Sequence, residues 1–478
     1  MKRIYLYPII FALTFLASCE SFLNVRPDNV DSVNPKSVAD FEEMLNAAAL
    51  LQSDFLMADI MTDDFIISDA AFNVGKATFY ARTYLFNPEI WSTAEEDPIY
   101  SQSYKWILQM NIILQSMEAA TGGTPERKAI AIAQAKINRA YYYLQMANLY
   151  GNDYQAANAA TDLAVPLIIK PDPTLKPTRA TIKEVYDQIV LDLTDAVQTE
   201  NLPNFGVDMI HPGKAAAYAL LARTYLFMAD YENALKAADE ALKIKSTVMD
   251  MNNYSFVNSA SPGLGINNKP NNLLSHAQNP EALLFRVCEN ISFFKAFTGK
   301  PAASPELKNL FGSKDLRFIY NFYPTGATSI SQYVSFTNSN GNSVMYFDYN
   351  LGVPEMMLTK AECLARKGEI QPAMNLLNEL RKYRFKPADL IQLSSTNNDD
   401  ALKIVLEERR RELFFKGGVR LFDLKRLNRD ERFKKDVVRK SNVSGAVLAT
   451  LPANSPLYLF PFAKNIILNN PGIIQNPR

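Results

Sequence analysis

Histidine is nearly absent from this sequence, which contains only His211 and His276 among its 478 residues. A Ser-His-Asp triad and most zinc sites need a well-placed imidazole, so this scarcity argues against both kinds of site. No P-loop and no Gly-rich dinucleotide fingerprint is present either. The sequence therefore predicts no catalytic residue, no metal site and no cofactor.

An excess of charge and a disulfide framework are missing as well. The 50 lysines and arginines balance 50 aspartates and glutamates, whereas nucleic-acid binding needs a basic surface, so we expect no nucleic-acid partner. There are only three cysteines. Because Cys19 has another role, described next, we expect Cys288 and Cys363 to be buried free thiols, with a disulfide between them as the alternative.

Long hydrophobic runs are confined to the N-terminus. Lys2 and Arg3 precede an apolar run, residues 4–17, which is too short for a membrane span of about 20 residues but suits a secretory signal. The run leads into Ser18 and Cys19, as in a lipoprotein cleavage site. We expect residues 1–18 to be a signal peptide and Cys19 to carry acyl chains that hold the protein at a membrane. The alternative is an uncleaved anchor helix.

Helical periodicity is what the sequence has in quantity. Residues 19–40 are polar and predict a lipidated tether, at the end of which Ser37 and Asp40 predict a capping box. Beyond the tether, the apolar spacing predicts helices over 98–120, 126–150 and 180–199.

Two stretches show the spacing of tetratricopeptide repeats, which are helix–turn–helix units. In 214–245, large residues such as Tyr218 and Leu221 occupy the first helix, and small alanines occupy the second. The same offsets recur over 357–380. The sequence therefore predicts a mainly α fold, a tetratricopeptide-like helix-pair scaffold with a loop-rich insertion containing short strands.

The insertion, about 246–350, is rich in Asn, Ser, Gly and Pro, and Asn338–Asn342 predicts a hairpin turn within it. We expect a single domain over 41–478, with the scaffold at about 41–245 and 351–478. Binding residues concentrate on loops held by a rigid scaffold. The insertion and residues 60–97 are therefore the predicted ligand face.

The segment 407–426 reads EERRRELFFKGGVRLFDLKR and is called the C-terminal signature below. Its Glu and Arg residues pair at helical spacing, and Gly417-Gly418 predicts the helix C-cap. The segment resembles the hallmark of the SusD/RagB family, E-R-R-x-E-L-x-F-E-G followed by an aromatic-D-L pair. Lys416 stands where that family prefers Glu, and Gly418 and Leu421 also depart from the pattern. The tail 469–477, with its two Asn-Pro pairs, is similar to the family's ending.

The resemblance implies a helical, non-enzymatic lipoprotein at the outer membrane, facing the cell exterior. Such proteins capture nutrients, usually glycans and in some members peptides, and work with a SusC-like TonB-dependent transporter. The signature itself is expected to be structural.

Candidate ligand contacts are aromatic rings, which stack on sugar CH groups, and polar side chains for the hydroxyls. Trp91 is the first candidate because many glycan-binding relatives carry aromatic contacts just before the long helix. Tyr80, Arg82 and Tyr84 occupy alternate positions in residues 79–84, which predicts a strand with one exposed face. Trp106 lies in the middle of a predicted helix and is expected in the core. The candidates for a glycan are Trp91, Tyr80, Arg82, Tyr84, Tyr320 and Phe322, and those for the amino end of a peptide are Asp63 and Asp64.

Two other functions stay open at this point. A tetratricopeptide adaptor lipoprotein in outer-membrane assembly would have contiguous repeats. A secreted helical glycosidase would need two carboxylates about 5–10 Å apart across a cleft, and Asp63-Asp64 or Glu95-Glu96-Asp97 could supply them.

Overall fold

The computed structural model describes residues 35–172, 174–256, 266–268, 272–273, 279–289, 291–297, 302–324, 331–333 and 347–478. The predicted signal peptide, Cys19 and most of the tether lie outside these residues, as do His276 and the predicted turn Asn338–Asn342. Within them helices dominate and the strands are short, so the predicted fold class is confirmed.

Helices in the described residues form the scaffold, and short helices also occur within the insertion. They are α1 (Val38–Leu45), α2 (Leu56–Ile60), α3 (Asp69–Gly75), α4 (Phe79–Tyr84), α5 (Pro98–Ser116), α6 (Pro125–Tyr150), α7 (Ile182–Gln198), α8 (Lys214–Phe227), α9 (Tyr231–Ile244), α10 (Ile291–Ala296), α11 (Pro305–Asn309), α12 (Leu316–Asn321), α13 (Val353–Arg366), α14 (Ile370–Lys382), α15 (Asn398–Leu413), α16 (Val419–Leu427) and α17 (Lys464–Asn469).

Strands in the described residues are two to five residues long and pair antiparallel. Two of these pairs, residues 282–284 with 351–352 and residues 287–288 with 347–348, join the interior of the insertion to its C-terminal end. The strands are β1 (Phe65–Ile66), β2 (Tyr254–Phe256), β3 (Ile266–Asn268), β4 (Asn272–Leu273), β5 (Ala282–Leu284), β6 (Val287–Cys288), β7 (Ala302–Ala303), β8 (Phe322–Pro324), β9 (Ser331–Tyr333), β10 (Phe347–Asp348), β11 (Leu351–Gly352), β12 (Val437–Lys440) and β13 (Val447–Leu451).

The two repeat-like stretches form helix pairs, α8 with α9 and α13 with α14, as their spacing predicts. Alanines of α9 are fully buried against α8, because their small side chains allow close approach of the two helices. The pairs are far apart in the chain, yet α9 packs directly on α13. The insertion therefore leaves the scaffold between two helix pairs that are neighbours in space.

Several local predictions are confirmed by the structure. The Ser37 hydroxyl accepts from the Asp40 backbone N–H and the Asp40 carboxylate accepts from that of Ser37, which is a capping box. Cys288 and Cys363 are both buried and unpaired with each other. Trp106 lies in the core.

Two local predictions are wrong. Residues 79–84 form helix α4 and not a strand, because the Thr78 hydroxyl caps the Ala81 N–H and starts a helical turn. Gly417-Gly418 does not cap α15, which ends at Leu413. Instead both glycines have positive φ, 66° and 86°, and Gly418 is the N-cap of α16. Glycine adopts this left-handed backbone without steric cost, so the pair forms the tight turn between α15 and α16.

Candidate functional site

The cleft is an open cavity of about 920 Å³ between the two segments of the predicted ligand face. One wall comes from residues 77–80 and 95–98, around α4 and the start of α5. The other comes from Glu289, Ser292 and Ala296 of the insertion. Its lining residues are Asp54, Ala77, Thr78, Phe79, Tyr80, Glu95, Glu96, Pro98, Glu289, Ser292 and Ala296.

The aromatic face of the cleft is the partly exposed ring of Phe79, not the indole of Trp91. The Phe79 ring centroid lies 5.2 Å from that of Trp91 and 4.2 Å from that of Tyr80. Trp91 is only 5% exposed, and its Nε1 donates to the Pro461 carbonyl at 2.9 Å. A binding role for Trp91 stays a prediction, but in this structure its indole supports Phe79 from behind.

Arg82 holds the wall of the cleft together. Its guanidinium donates to the carbonyls of Ile90 and Ala77, at 2.6 and 2.7 Å, and forms an ion pair with Glu95. Partial burial raises the pKa of Glu95, but hydrogen bonds from Ser92 and Arg82 outweigh it and hold this pKa below its ordinary value. Arg82 was predicted as a ligand contact, and the structure shows it bound to the loops on either side of Phe79.

Asp97, at the end of the second acidic run considered for catalysis, has a structural role. Its carboxylate caps α5 by accepting from the backbone N–H groups of Ile99 and Tyr100, and it also accepts from the Tyr150 hydroxyl at 2.6 Å. Burial raises the pKa of Asp97 to about 6. It does not line the cleft.

Asp63 and Asp64 are buried and ion-paired, so neither presents a carboxylate to solvent. Arg420 donates to Asp63 at 2.8 Å, and Arg410 donates to Asp64 at 2.6 Å. Burial would raise the pKa of Asp63, but Arg420, Arg410 and Lys435 hold it well below its ordinary value. These ion pairs join the segment 60–97 to the C-terminal signature.

The remaining predicted contacts, Tyr84, Tyr320 and Phe322, are buried as well. The Tyr84 ring is covered by the Arg439 guanidinium, 4.4 Å from the ring centroid. The Tyr320 hydroxyl donates to the Tyr254 carbonyl at 2.6 Å. Phe322 stacks on Phe414 of the signature at 5.0 Å. Phe322 thus packs the insertion against the signature, and none of the three residues lines the cleft.

The C-terminal signature forms a buried network of ion pairs. Arg409 binds Asp423 at 2.9 Å, and Arg426 binds Glu362 of α13 at 2.6 Å. Glu408 and Glu412 both form ion pairs with Arg317 of the insertion, each at 2.7 Å. The signature therefore connects the helix pair α13–α14 of the scaffold with the insertion.

Two family models match most of the chain. One, described as "Starch-binding associating with outer membrane", matches residues 21–226. The other, that of the SusD family, matches residues 307–478. The chain belongs to the SusD/RagB family.

Solved SusD-like structures share the fold over nearly the whole chain. A SusD superfamily protein from Bacteroides thetaiotaomicron is 21% identical, with a TM-score of 0.71 over 92% of this chain and 100% of its own. A putative sugar binding protein from Bacteroides vulgatus is 21% identical, with a TM-score of 0.69 over 92% and 98%. Surface glycan-binding protein A from Bacteroides uniformis is 17% identical, with a TM-score of 0.65 over 92% and 99%. No curated protein sequence matches the chain significantly.

Lys416, where this chain departs from the SusD/RagB signature, forms an ion pair with the insertion. Lys416 Nζ lies 2.8 Å from the Asp348 carboxylate, which belongs to the end of the insertion. A glutamate at this position would face Asp348 with the same charge. Asp348 therefore explains why lysine is accommodated here.

Neither a membrane-spanning helix nor a metal cluster is found in the part of the chain that the structure describes. No described helix combines the length and the apolar composition that crossing a bilayer requires. No group of three or more His, Cys, Asp and Glu side chains among the described residues could hold a metal ion.

Proposed function

We propose that this protein is a surface lipoprotein that captures an oligosaccharide in the cleft and delivers it to a SusC-like TonB-dependent transporter. Membership of the SusD/RagB family supports this function. So do the names of two structural relatives, one described as a putative sugar binding protein and the other as a surface glycan-binding protein.

The observation that carries the proposal is the composition of the cleft. Phe79 offers a ring for the CH face of a sugar, and its position is fixed by Trp91 and Tyr80 behind it. Thr78, Ser292 and carboxylates around the ring can bond to sugar hydroxyls. A few polar groups around an apolar surface are typical of small-molecule sites.

Other functions have less support from the geometry. A peptide amino end was expected to bind Asp63 or Asp64, but arginines already pair with both carboxylates. The same burial closes Asp63 and Asp64 to a glycosidase substrate, and Asp97 caps a helix. Glu95 and Glu96 do line the cleft, but Glu95 is ion-paired with Arg82, which leaves Glu96 as the one unpaired carboxylate among these candidates in the described residues. We therefore propose capture without hydrolysis.

The membrane attachment and the transporter belong to the proposal too. The lipoprotein-type site at Cys19 and the name of one matching family model support anchoring at the outer membrane. We propose that the cleft faces the cell exterior, and that residues 41–478 form the binding domain on the lipidated tether.

The test is isothermal titration of the full-length protein, in detergent, against a panel of neutral oligosaccharides and mixed peptides. An assay for released product runs beside it. We expect saturable binding of an oligosaccharide without turnover. Turnover, or binding of peptides alone, would overturn the proposal.

A pair of phenylalanine variants locates the site. Phe79→Ala should lower the affinity by about tenfold or more, equivalent to about 1.4 kcal/mol, because the ring that stacks on the sugar is removed. Phe433→Ala is the matched control, since Phe433 is also partly exposed and lies outside the cleft. Equal affinities of the two variants would show that the ligand binds elsewhere.

A further inference from the structure

The described residues that line the cleft carry charge of one sign. Asp54, Glu95, Glu96 and Glu289 contribute carboxylates, and none of the described lining residues is a lysine or an arginine. Glu95 and Glu96 belong to the wall that precedes α5, whereas Glu289 belongs to the wall formed by the insertion. A ligand beside the Phe79 ring therefore meets carboxylates from both segments.

These carboxylates differ in how far their charge is compensated. Arg82 pairs with Glu95 and also binds two backbone carbonyls, so the charge of Glu95 is compensated. Glu96 and Glu289 are exposed, and no described residue forms an ion pair with either. Their negative charges are thus open to a ligand.

A ligand's own charge decides its interaction with such a lining. Carboxylate or sulfate groups on a sugar would be repelled by Glu96 and Glu289, and the low-dielectric walls of a cleft strengthen this repulsion relative to open water. Hydroxyl groups can donate hydrogen bonds to the same carboxylates. Ammonium groups can do so as well, with a gain in charge attraction.

We propose, on the basis of the carbohydrate-binding function above, that the cleft selects glycans by charge. Its ligand carries no acidic groups, and free amino groups on the sugar strengthen binding. Uronic-acid and sulfated glycans are excluded from the cleft. The partly exposed aromatic ring provides affinity for the sugar, and the carboxylates on the two segments provide this selectivity.

The test compares three oligosaccharides of the same length and linkage, built on the neutral backbone that the panel above identifies. One is neutral, one carries carboxylates at C6, and one carries free amino groups at C2. Titration of the full-length protein at low salt should give an affinity about tenfold or more weaker for the carboxylate form and higher for the amino form. High salt should reduce both differences, because it screens exposed charges.

A double variant assigns the selectivity to the cleft. Glu96→Gln with Glu289→Gln should reduce the preference for the neutral form over the carboxylate form by at least about threefold, because an amide does not repel a carboxylate. Glu118→Gln with Glu200→Gln is the matched control, because it removes the same charge at exposed positions outside the cleft. Equal affinities for all three sugars would overturn the charge selectivity while carbohydrate binding stands. Binding of no oligosaccharide at all would overturn the proposed function and this inference with it.

Discussion

The C-terminal signature and the cleft both contain several charged side chains, but these differ in burial and in ion pairing. In the signature, Glu408 and Arg409 are buried and form ion pairs at 2.7 and 2.9 Å. In the cleft, Glu96 and Glu289 are exposed and form no ion pair with a described residue. The comparison teaches that the most regular charge pattern in this sequence serves the fold, whereas the charges available to a ligand come from unremarkable loop positions.

Removal of Arg317 should have the largest effect on stability. Arg317→Met leaves Asp315, Glu408 and Glu412 buried without their shared partner, which should lower the free energy of unfolding by about 3–5 kcal/mol. Urea denaturation measures this loss. Arg432→Met is the control: Arg432 is exposed and pairs with Asp430 and Asp399, so its loss should be no more than about 1 kcal/mol. Similar losses for the two variants would show that burial does not decide how much these ion pairs contribute to stability.

Removal of Lys416 should have an intermediate effect. Lys416→Met leaves the buried Asp348 carboxylate without its ion pair, at a cost of about 2 kcal/mol. The double variant Lys416→Met with Asp348→Asn should recover most of this loss, because no unpaired charge remains. A double-mutant cycle by urea denaturation measures the recovery. Additive losses would show that the two side chains are not coupled.

Asp59, which binds the turn of the signature, should make the free energy of unfolding of the protein depend on pH. Its carboxylate accepts from the N–H groups of Gly417 and Gly418 and from the Tyr349 hydroxyl, and burial nevertheless raises the pKa of Asp59 to about 7. The folded chain therefore holds this proton between about pH 4 and pH 7, where the unfolded chain has lost it. It follows that the contribution of Asp59 to stability is present at low pH and is lost as the pH rises through 7.

The variant Asp59→Asn isolates this contribution, since asparagine does not titrate. The stability of the native protein minus that of the variant should fall by at least about 1 kcal/mol between pH 5 and pH 8. Urea denaturation at the two pH values measures the difference. A constant difference would mean that Asp59 is ionised throughout this range.

Neutralisation of a cleft carboxylate should have the smallest effect on stability. Glu96→Gln should leave the free energy of unfolding unchanged within about 0.5 kcal/mol, because Glu96 is exposed and supports no described contact. The same substitution at Glu408 removes the buried charge that faces Arg317, Arg381 and Arg411, and should be clearly destabilising. If Glu96→Gln destabilises the chain as much as Glu408→Gln, the cleft carboxylates are structural as well.

The sequence located the cleft better than it identified the residues of the cleft. Residues 60–97 and the insertion were selected because loops on a helical scaffold carry binding residues, and these two segments do form its walls. Trp91 is the first candidate in the sequence because many glycan-binding relatives carry aromatic contacts just before the long helix. Sequence spacing does not report which of two neighbouring rings is exposed, and here Phe79 lies over Trp91.

Asp63 and Asp64 show the same limit for charged residues. A pair of adjacent carboxylates in a loop gives no sign of its partners when those are more than 340 positions away in the chain. Arg410 and Arg420 lie in the signature, and only the folded chain brings them to Asp63 and Asp64. The alternation in 79–84 was misleading for a related reason, because six residues are too few to separate a strand from one helical turn and a half.

The sequence by itself determined the helical scaffold, the helix pairs and the family, because these depend on short-range periodicity and on motifs written along the chain. Only the tertiary structure decided which charges are neutralised in the core and which aromatic ring is exposed at the cleft. Many of the deciding contacts join residues far apart in the chain, such as Arg317 with Glu408 and Asp63 with Arg420. These contacts set both the availability and the pKa of each group, and they arise when the insertion folds back on the scaffold.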